Sequence, residues 1–443
     1  MDHGTFRRLC RRGIPSAVIL LVALVGPVSS ETRGDDWPQF RGPHSDNHVT
    51  GFTAPATWPK ELKKGWSAPV GDGVSSPALV GNRIYTFTRK GGDEVITCID
   101  AVNGQVVWSD KYEAVEVTRP AAGLGGPDKF TGPRSSPAVV EGKVCSFGVG
   151  GILSCLDASS GKLAWRHDTK GKPMFFTACS PTIAEGKCIV YTGTTGFGGK
   201  GGKGGGGKGG AGKVGGGKGG AMGKGDITSY DLATGDVKWK MPGEGPGYGS
   251  PVVATIAGVK QIVVLGEANL MGVGLEDGKL LWKTPFSQGR YQTATPILDG
   301  DVVIISGSAY KIEKKDGEFT ATRIWKDQAP HQYNTPVLKD GVLYGYMPAG
   351  QGTQIYAQDA KTGKVLWNDG AKGRQCGSIL DAGSVLIALS DDGNLRVFKP
   401  SKEEYKEVAT YKVAESGTWA MPIVSGKQIF VKDRENLTEW TIE

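Results

Sequence analysis

Three arginines and six aromatic or imidazole side chains stand at comparable places along the chain: Arg134, Arg290 and Arg374, with Phe176, Tyr248, Tyr291, His331, Tyr333 and Trp419. Each lies a few residues ahead of a short apolar stretch led by proline or its substitute. Guanidinium groups grip carboxylates and phosphates through paired N–H bonds, and aromatic faces stack on planar or cationic groups. Gathered around one opening, these residues make a mouth for a planar or anionic ligand; ordinary rim pairing with local carboxylates is the plain alternative. His44 and His48, in HSDNH, have ligand spacing only if the segment is helical, and the flanking Gly-Pro and Asp-Asn indicate a loop. No metal is expected, and no local signature marks a nucleophile with its base.

The elements that position these residues follow from a repeat. SSPALV, SSPAVV, CSPTIA, GSPVVA, ATPILD, NTPVLK and AMPIVS place Pro77, Pro137, Pro181, Pro251, Pro296, Pro336 and Pro422 in one register, with Ser378 in place of proline in an eighth unit. Each unit continues through a turn and a β-branched or aromatic run, and four close on Asp-x-x-x-Gly-x-x-x-Trp: Asp100/Gly104/Trp108, Asp157/Gly161/Trp165, Asp231/Gly235/Trp239 and Asp359/Gly363/Trp367. Gly278/Trp282 keeps the turn without the aspartate, and Trp325 and Tyr405 close two degenerate units. A period of about 40 to 50 residues with four short strands is that of a propeller blade. Proline, lacking an N–H, belongs at the start of an edge strand, which the channel-lining strand is. Trp66, Trp108, Trp165, Trp239, Trp282, Trp325 and Trp367 fall on outermost strands, where a large ring packs against the next blade, so a structural docking role is expected of all seven. The last unit lacks an outer strand and Trp66 precedes the first marker, so the chain is an all-β, eight-bladed propeller of four-stranded blades closed by its N-terminal strand.

The step from Pro181 to Pro251 is long because residues 198–225 hold 18 glycines and six lysines. No Gly-Lys there is followed by Ser or Thr, so it is not a phosphate-binding loop, and it has too little apolar surface to fold. It reads as a disordered insertion between the second and third strands of blade three, on the mouth side. The formal net charge is +7, of which residues 1–30 supply +3 and the insertion +6, so the remainder carries −2. That balance excludes the basic footprint of a nucleic-acid binder.

Arg7, Arg8, Arg11 and Arg12 precede an apolar run, 14–28, that is short for a membrane span. Residues 1–30 read as a signal peptide, 31–59 as a lead-in and 60–443 as a single propeller. Export to the periplasm or medium is expected, with no membrane span and a monomeric state. Six cysteines follow the leader, and Cys145 and Cys155 flank a hairpin in which they face each other, either bridged or as buried thiols.

The repeat, in DASSGKLAW and DAKTGKVLW above all, resembles that of the pyrroloquinoline-quinone (PQQ) propeller superfamily, which includes quinoprotein alcohol dehydrogenases and BamB-like proteins; the lead-in DWPQFRGPHSDN is similar to that of secreted BamB-like proteins. The dehydrogenase branch implies a quinone stacked on adjacent cysteines, a calcium and an aspartate base; this chain has no Cys-Cys and no Cys-x-x-Cys-His for haem. BamB-type lipoproteins imply a cysteine directly after the leader, where Ser29, Ser30 and Glu31 stand, so no lipid anchor is expected. The resulting expectation is an exported binding or scaffold protein without a cofactor, its partner another exported protein or an anionic ligand. A PQQ- and calcium-dependent oxidoreductase is the enzymatic alternative.

Overall fold

The computed structural model describes Met1 and residues 36–117, 131–171, 177–194, 223–286, 293–327, 334–349, 352–370 and 376–443. These residues form eight four-stranded antiparallel sheets. In the first, Ala78–Val80, Arg83–Lys90, Asp93–Asp100 and Val106–Glu113 pair in chain order from the innermost strand outward. The middle strands, RIYTFTRK and DEVITCID, are buried along nearly their whole length because blades pack on both their faces. The outermost strand, VVWSDKYE, is exposed at alternate positions. A continuous apolar run and an alternating one are what two-sided and one-sided burial require. Blades 2 to 7 repeat this order over 138–168, 182–244, 252–285, 297–326, 337–368 and 377–412.

Blade 8 is assembled from both ends of the described chain. Ile423–Ser425, Gln428–Lys432 and Asn436–Thr441 supply three strands, and Lys63–Pro69 pairs antiparallel with the last of them, Lys63 opposite Thr441 and Pro69 opposite Asn436. The seam from this blade to blade 1 also holds Lys432, whose ammonium is buried and donates to the carbonyls of Gly73 at 2.7 Å and Asp433 at 3.0 Å. Burial pushes its pKa down to about 8.

The core lies in layers between blades. Tyr85, Phe87, Ile96 and Cys98 of blade 1 pack on Val139, Val144 and Leu156 of blade 2, with Trp108 against the layer. Along the rim, Trp108 donates its Nε1–H to the Ala158 carbonyl at 3.0 Å, and its ring lies where a Cβ on Gly161 would come within 2.5 Å of it. Gly161 has φ 72°, so the position needs glycine for its backbone and for its neighbour. Trp66 on Gly104, Trp165 on Gly235 and Trp325 on Gly363 repeat the contact, with Nε1 bonds of 3.0, 3.0 and 2.8 Å to Ala101, Leu232 and Ala360. Trp239 lies over Gly278 and bonds Leu275 at 3.1 Å, and Trp367 bonds Ser401 at 2.9 Å. Trp282 differs: its Nε1–H goes to Gln261 Oε1 of its own blade at 2.6 Å. Blade 5 turns between its outer strands at Asp316-Gly317 and presents no Asp-x-x-x-Gly seat.

Cys145 and Cys155 are opposite each other on paired strands and, like all six cysteines among the described residues, are buried thiols. The last two residues of the Gly/Lys stretch, Lys224 and Gly225, open the third strand of blade 3, Lys224–Asp231.

Candidate functional site at the channel mouth

A second seam runs around the channel, carried by the residue just before each marker proline. The Ser76 amide donates to Ser136 Oγ at 3.0 Å, Ser136 to Ser180 at 2.9 Å, Ser180 to Ser250 at 3.0 Å, Ser250 to Thr295 at 3.2 Å and Thr295 to Thr335 at 3.1 Å. Met421 N–H donates to Ser76 Oγ at 2.9 Å and carries the belt across the closing seam. Blade 7, which has Gly377 at this position, joins in the opposite sense, its amide donating to Asn334 Oδ1 of blade 6 at 3.1 Å. Edge strands leave amides unpaired. The hydroxyl of the next blade answers that need. The signal stands in the sequence as the Ser or Thr directly ahead of six of the prolines, at Ser76, Ser136, Ser180, Ser250, Thr295 and Thr335.

The residues three places before the marker form a tier above this belt. Arg134, Ala178, Tyr248, Thr293 and Trp419 line a channel cavity of about 140 Å³, and Ser180, Ser250, Thr295, Thr335 and Met421 line it one step deeper. Of the nine residues expected at the mouth, Arg134, Tyr248 and Trp419 thus share one cavity. Phe176, Arg290, Tyr291, His331, Tyr333 and Arg374 lie outside the described residues. Burial lowers the pKa of Arg134, which Tyr248 partly offsets.

The lead-in completes this cavity with Phe40, Arg41 and Asn47. It reaches them by binding the innermost strands on two sides of the channel. Trp37 exchanges backbone bonds with Leu79 of blade 1 at 2.7 and 2.8 Å, and the Pro38 carbonyl accepts from Val139 of blade 2. Arg41 then donates to the Thr335 and Pro336 carbonyls of blade 6 at 3.3 and 3.1 Å, and Asn47 Nδ2 to Ile379 of blade 7 at 3.0 Å. His48 Nε2 meets the Leu338 carbonyl at 2.8 Å and its Nδ1 lies 3.5 Å from Asp381, so this histidine fastens the segment. Arg41, Ser45 and Asn47 have φ of 67°, 56° and 67°, a left-handed backbone that costs non-glycine residues energy and is held by the surrounding bonds. Arg41 is 1% exposed, and burial pushes its pKa down to about 10 against the opposing influence of Asp46. Sequence reading missed this part of the site because its partners are carbonyls some 290 to 330 residues away, which leave no side-chain pattern.

The cavity's described lining contains two arginines, seven hydroxyl-bearing residues and no carboxylate. Among the described residues no group of three His, Cys, Asp or Glu side chains suits a metal ion. A volume of about 140 Å³ is also below the roughly 300 Å³ at which pockets for larger ligands begin. The described residues do not fit a calcium-bound quinone.

Tryptophans docked on the next blade's glycine, around a channel lined from the marker segments, define a propeller of the PQQ-repeat class. The sequence family described as outer membrane protein assembly factor BamB matches residues 92–368, and the chain belongs to it. It is 22% identical over 404 residues to the BamB of Yersinia pestis, covering 85% of this chain and 77% of that one. It is 26% identical over 189 residues to the quinohemoprotein alcohol dehydrogenase ADH-IIG of Pseudomonas putida, covering 39% of this chain and 21% of that one. Among solved structures, BamB of Moraxella catarrhalis superposes with a TM-score of 0.58 at 13% identity, covering 86% of this chain and 98% of the other. The Pseudomonas putida dehydrogenase does so with 0.65 at 16% identity, covering 92% and 80%. At those identities the superpositions speak for the fold.

Proposed function

We propose that the protein is an exported, non-catalytic binding module whose mouth face engages another exported protein. The observation that carries this reading is the two-tier lining, in which Arg134, Tyr248 and Trp419 occupy one repeat position on three different blades while the lead-in supplies part of the cavity wall. A fold built from repeats keeps its seams constant and varies the residues at its openings, which is where recognition belongs. Tyr, Trp and Arg are also the side chains that anchor protein interfaces. Kinship with proteins named for outer-membrane assembly supports a partner in the cell envelope.

The test compares two sets of substitutions in cross-linking to the exported fraction. Arg134→Glu with Trp419→Ala should abolish the main adduct, and Lys238→Glu, on the outermost strand of blade 3, should preserve it. Equal yields from both would refute recognition at the mouth. The oxidoreductase alternative predicts a quinone absorbance retained after desalting when PQQ and calcium are added, with dye reduction by alcohols. The binding-module reading predicts neither.

A further inference from the structure

Resting on the binding-module reading above, we propose that the channel cavity is a site for a small hydroxy-carboxylate. Arg41 is the first reason. Among the described residues, three of its five N–H groups are bonded, all to backbone carbonyls, those of Ser45, Thr335 and Pro336. No carboxylate among the described residues pairs with it, although it is 1% exposed and lines the cavity. Asp46 offsets part of this charge from beyond ion-pair distance, but every group bonded directly to the buried guanidinium is a neutral acceptor, and an oxyanion is the partner that a planar donor fork fits best.

The second reason is independent of charge. Thr293, Ser378 and Asn47 are lining residues of the cavity, and their Oγ1, Oγ and Oδ1 atoms are buried at its wall with no hydrogen-bond partner among the described residues. Two hydroxyl donors add to the anion's contacts. Asn47 places the opposite demand: its Nδ2 donates to the Ile379 carbonyl, which fixes the amide, so the unpaired oxygen accepts and calls for a donor on the ligand. A hydroxyl beside a carboxylate supplies both. Phe40, Trp419 and Met421 offer the remaining wall to a short apolar body. The cavity volume of about 140 Å³ limits that body to a few carbons.

Calorimetric titration of the purified full chain with 2-hydroxybutyrate, butyrate, 2-hydroxybutyramide and inorganic phosphate tests each part. The expected order is 2-hydroxybutyrate tightest, butyrate several-fold weaker, and the neutral amide at least about tenfold weaker, as loss of a charge-assisted contact implies. Arg41→Gln should weaken the hydroxy acid by about tenfold or more. Ser378→Leu fills the cavity while leaving every charge in place, and should abolish binding even if Arg41→Gln fails to fold. No binding by the wild-type chain, or undiminished binding in Ser378→Leu, overturns the site. Equal affinity for acid and amide overturns the role of charge. Butyrate equal to 2-hydroxybutyrate overturns the assignment to Asn47, and phosphate binding without either acid overturns the organic class. Because the ligand is titrated directly, any of these failures is separate from the fate of the cross-linked adduct.

Discussion

The seam between blades 2 and 3 and the seam between blades 4 and 5 use the same residue in different ways. Trp165 reaches across, bonding the Leu232 carbonyl over Gly235 and stacking on Tyr230 with ring centroids 5.9 Å apart. Trp282 packs toward Val303, Ile305 and Tyr310 of blade 5 but spends its N–H on Gln261 at home. The inner stitch is the same at both: Ser136 to Ser180 in one, Ser250 to Thr295 in the other. The repeat therefore fixes where the indole stands, and the next blade's turn decides what it bonds. The outer lock is optional, whereas the inner one persists at both seams.

The largest test removes a seam altogether. Deleting residues 60–69 takes Lys63–Pro69 from blade 8 and Trp66 from Gly104. The melting temperature should fall further than for any single substitution below, and an unchanged value would show that ring closure does not limit stability.

Next come the two tryptophans. Trp165→Ala should cost about 3 to 5 kcal/mol in denaturant unfolding, as for a large aromatic taken from a core. Trp282→Phe keeps most of the volume but strands Gln261, which is 0% exposed, and should cost about 1 to 3 kcal/mol. Adding Gln261→Leu to Trp282→Phe should recover part of that loss, and no recovery would mean that the in-blade bond is incidental.

The closing seam differs from both in its buried lysine. The unfolded chain holds the Lys432 proton up to about 10.5, and the folded one releases it near 8. Between these values the unfolded state binds more protons, so this group makes stability rise with pH, by roughly 3 kcal/mol across the window; below 8 the penalty for burying the charge is fully present. Lys432→Met should remove that rise. Equal pH slopes for wild type and variant from pH 8 to 10 would contradict the buried ammonium.

The last pair concerns glycines. Gly161 and Gly317 have φ of 72° and 88°, but a Cβ on the first meets the Trp108 ring while one on the second meets nothing within 4 Å. Gly317→Ala should cost about 1 to 2 kcal/mol of left-handed strain. Gly161→Ala adds a steric term of about 1 to 3 kcal/mol. Similar losses at both would mean that the indole moves aside easily.

The fold was legible because the seams repeat. Asp-x-x-x-Gly-x-x-x-Trp recurs where a carboxylate caps a turn, as Asp231 does for the amides of Ala233 and Thr234, and where the glycine receives an indole. The mouth was legible only as a set of positions, of which Arg134, Tyr248 and Trp419 belong to the described cavity. Arg41 and Asn47 were illegible because each acts once, through backbone carbonyls, from a segment outside the repeat. Gln261 was hidden for the opposite reason: it replaces a turn that the next blade lacks.

The two attachments of the N-terminal region also differ in how they resist force. The pairing of Lys63–Pro69 with Asn436–Thr441 begins at the end where Lys63 faces Thr441, so tension on the carboxyl terminus peels that ladder open one rung at a time. Tension applied ahead of Trp37 meets the channel first, where backbone bonds to Leu79 and the anchors of Arg41, Asn47 and His48 on blades 6 and 7 share the load. Asn436–Thr441 is also paired with Gln428–Lys432 on its other side, so tension on the carboxyl terminus opens two ladders rung by rung, whereas tension ahead of Trp37 is shared among anchors on several blades at once.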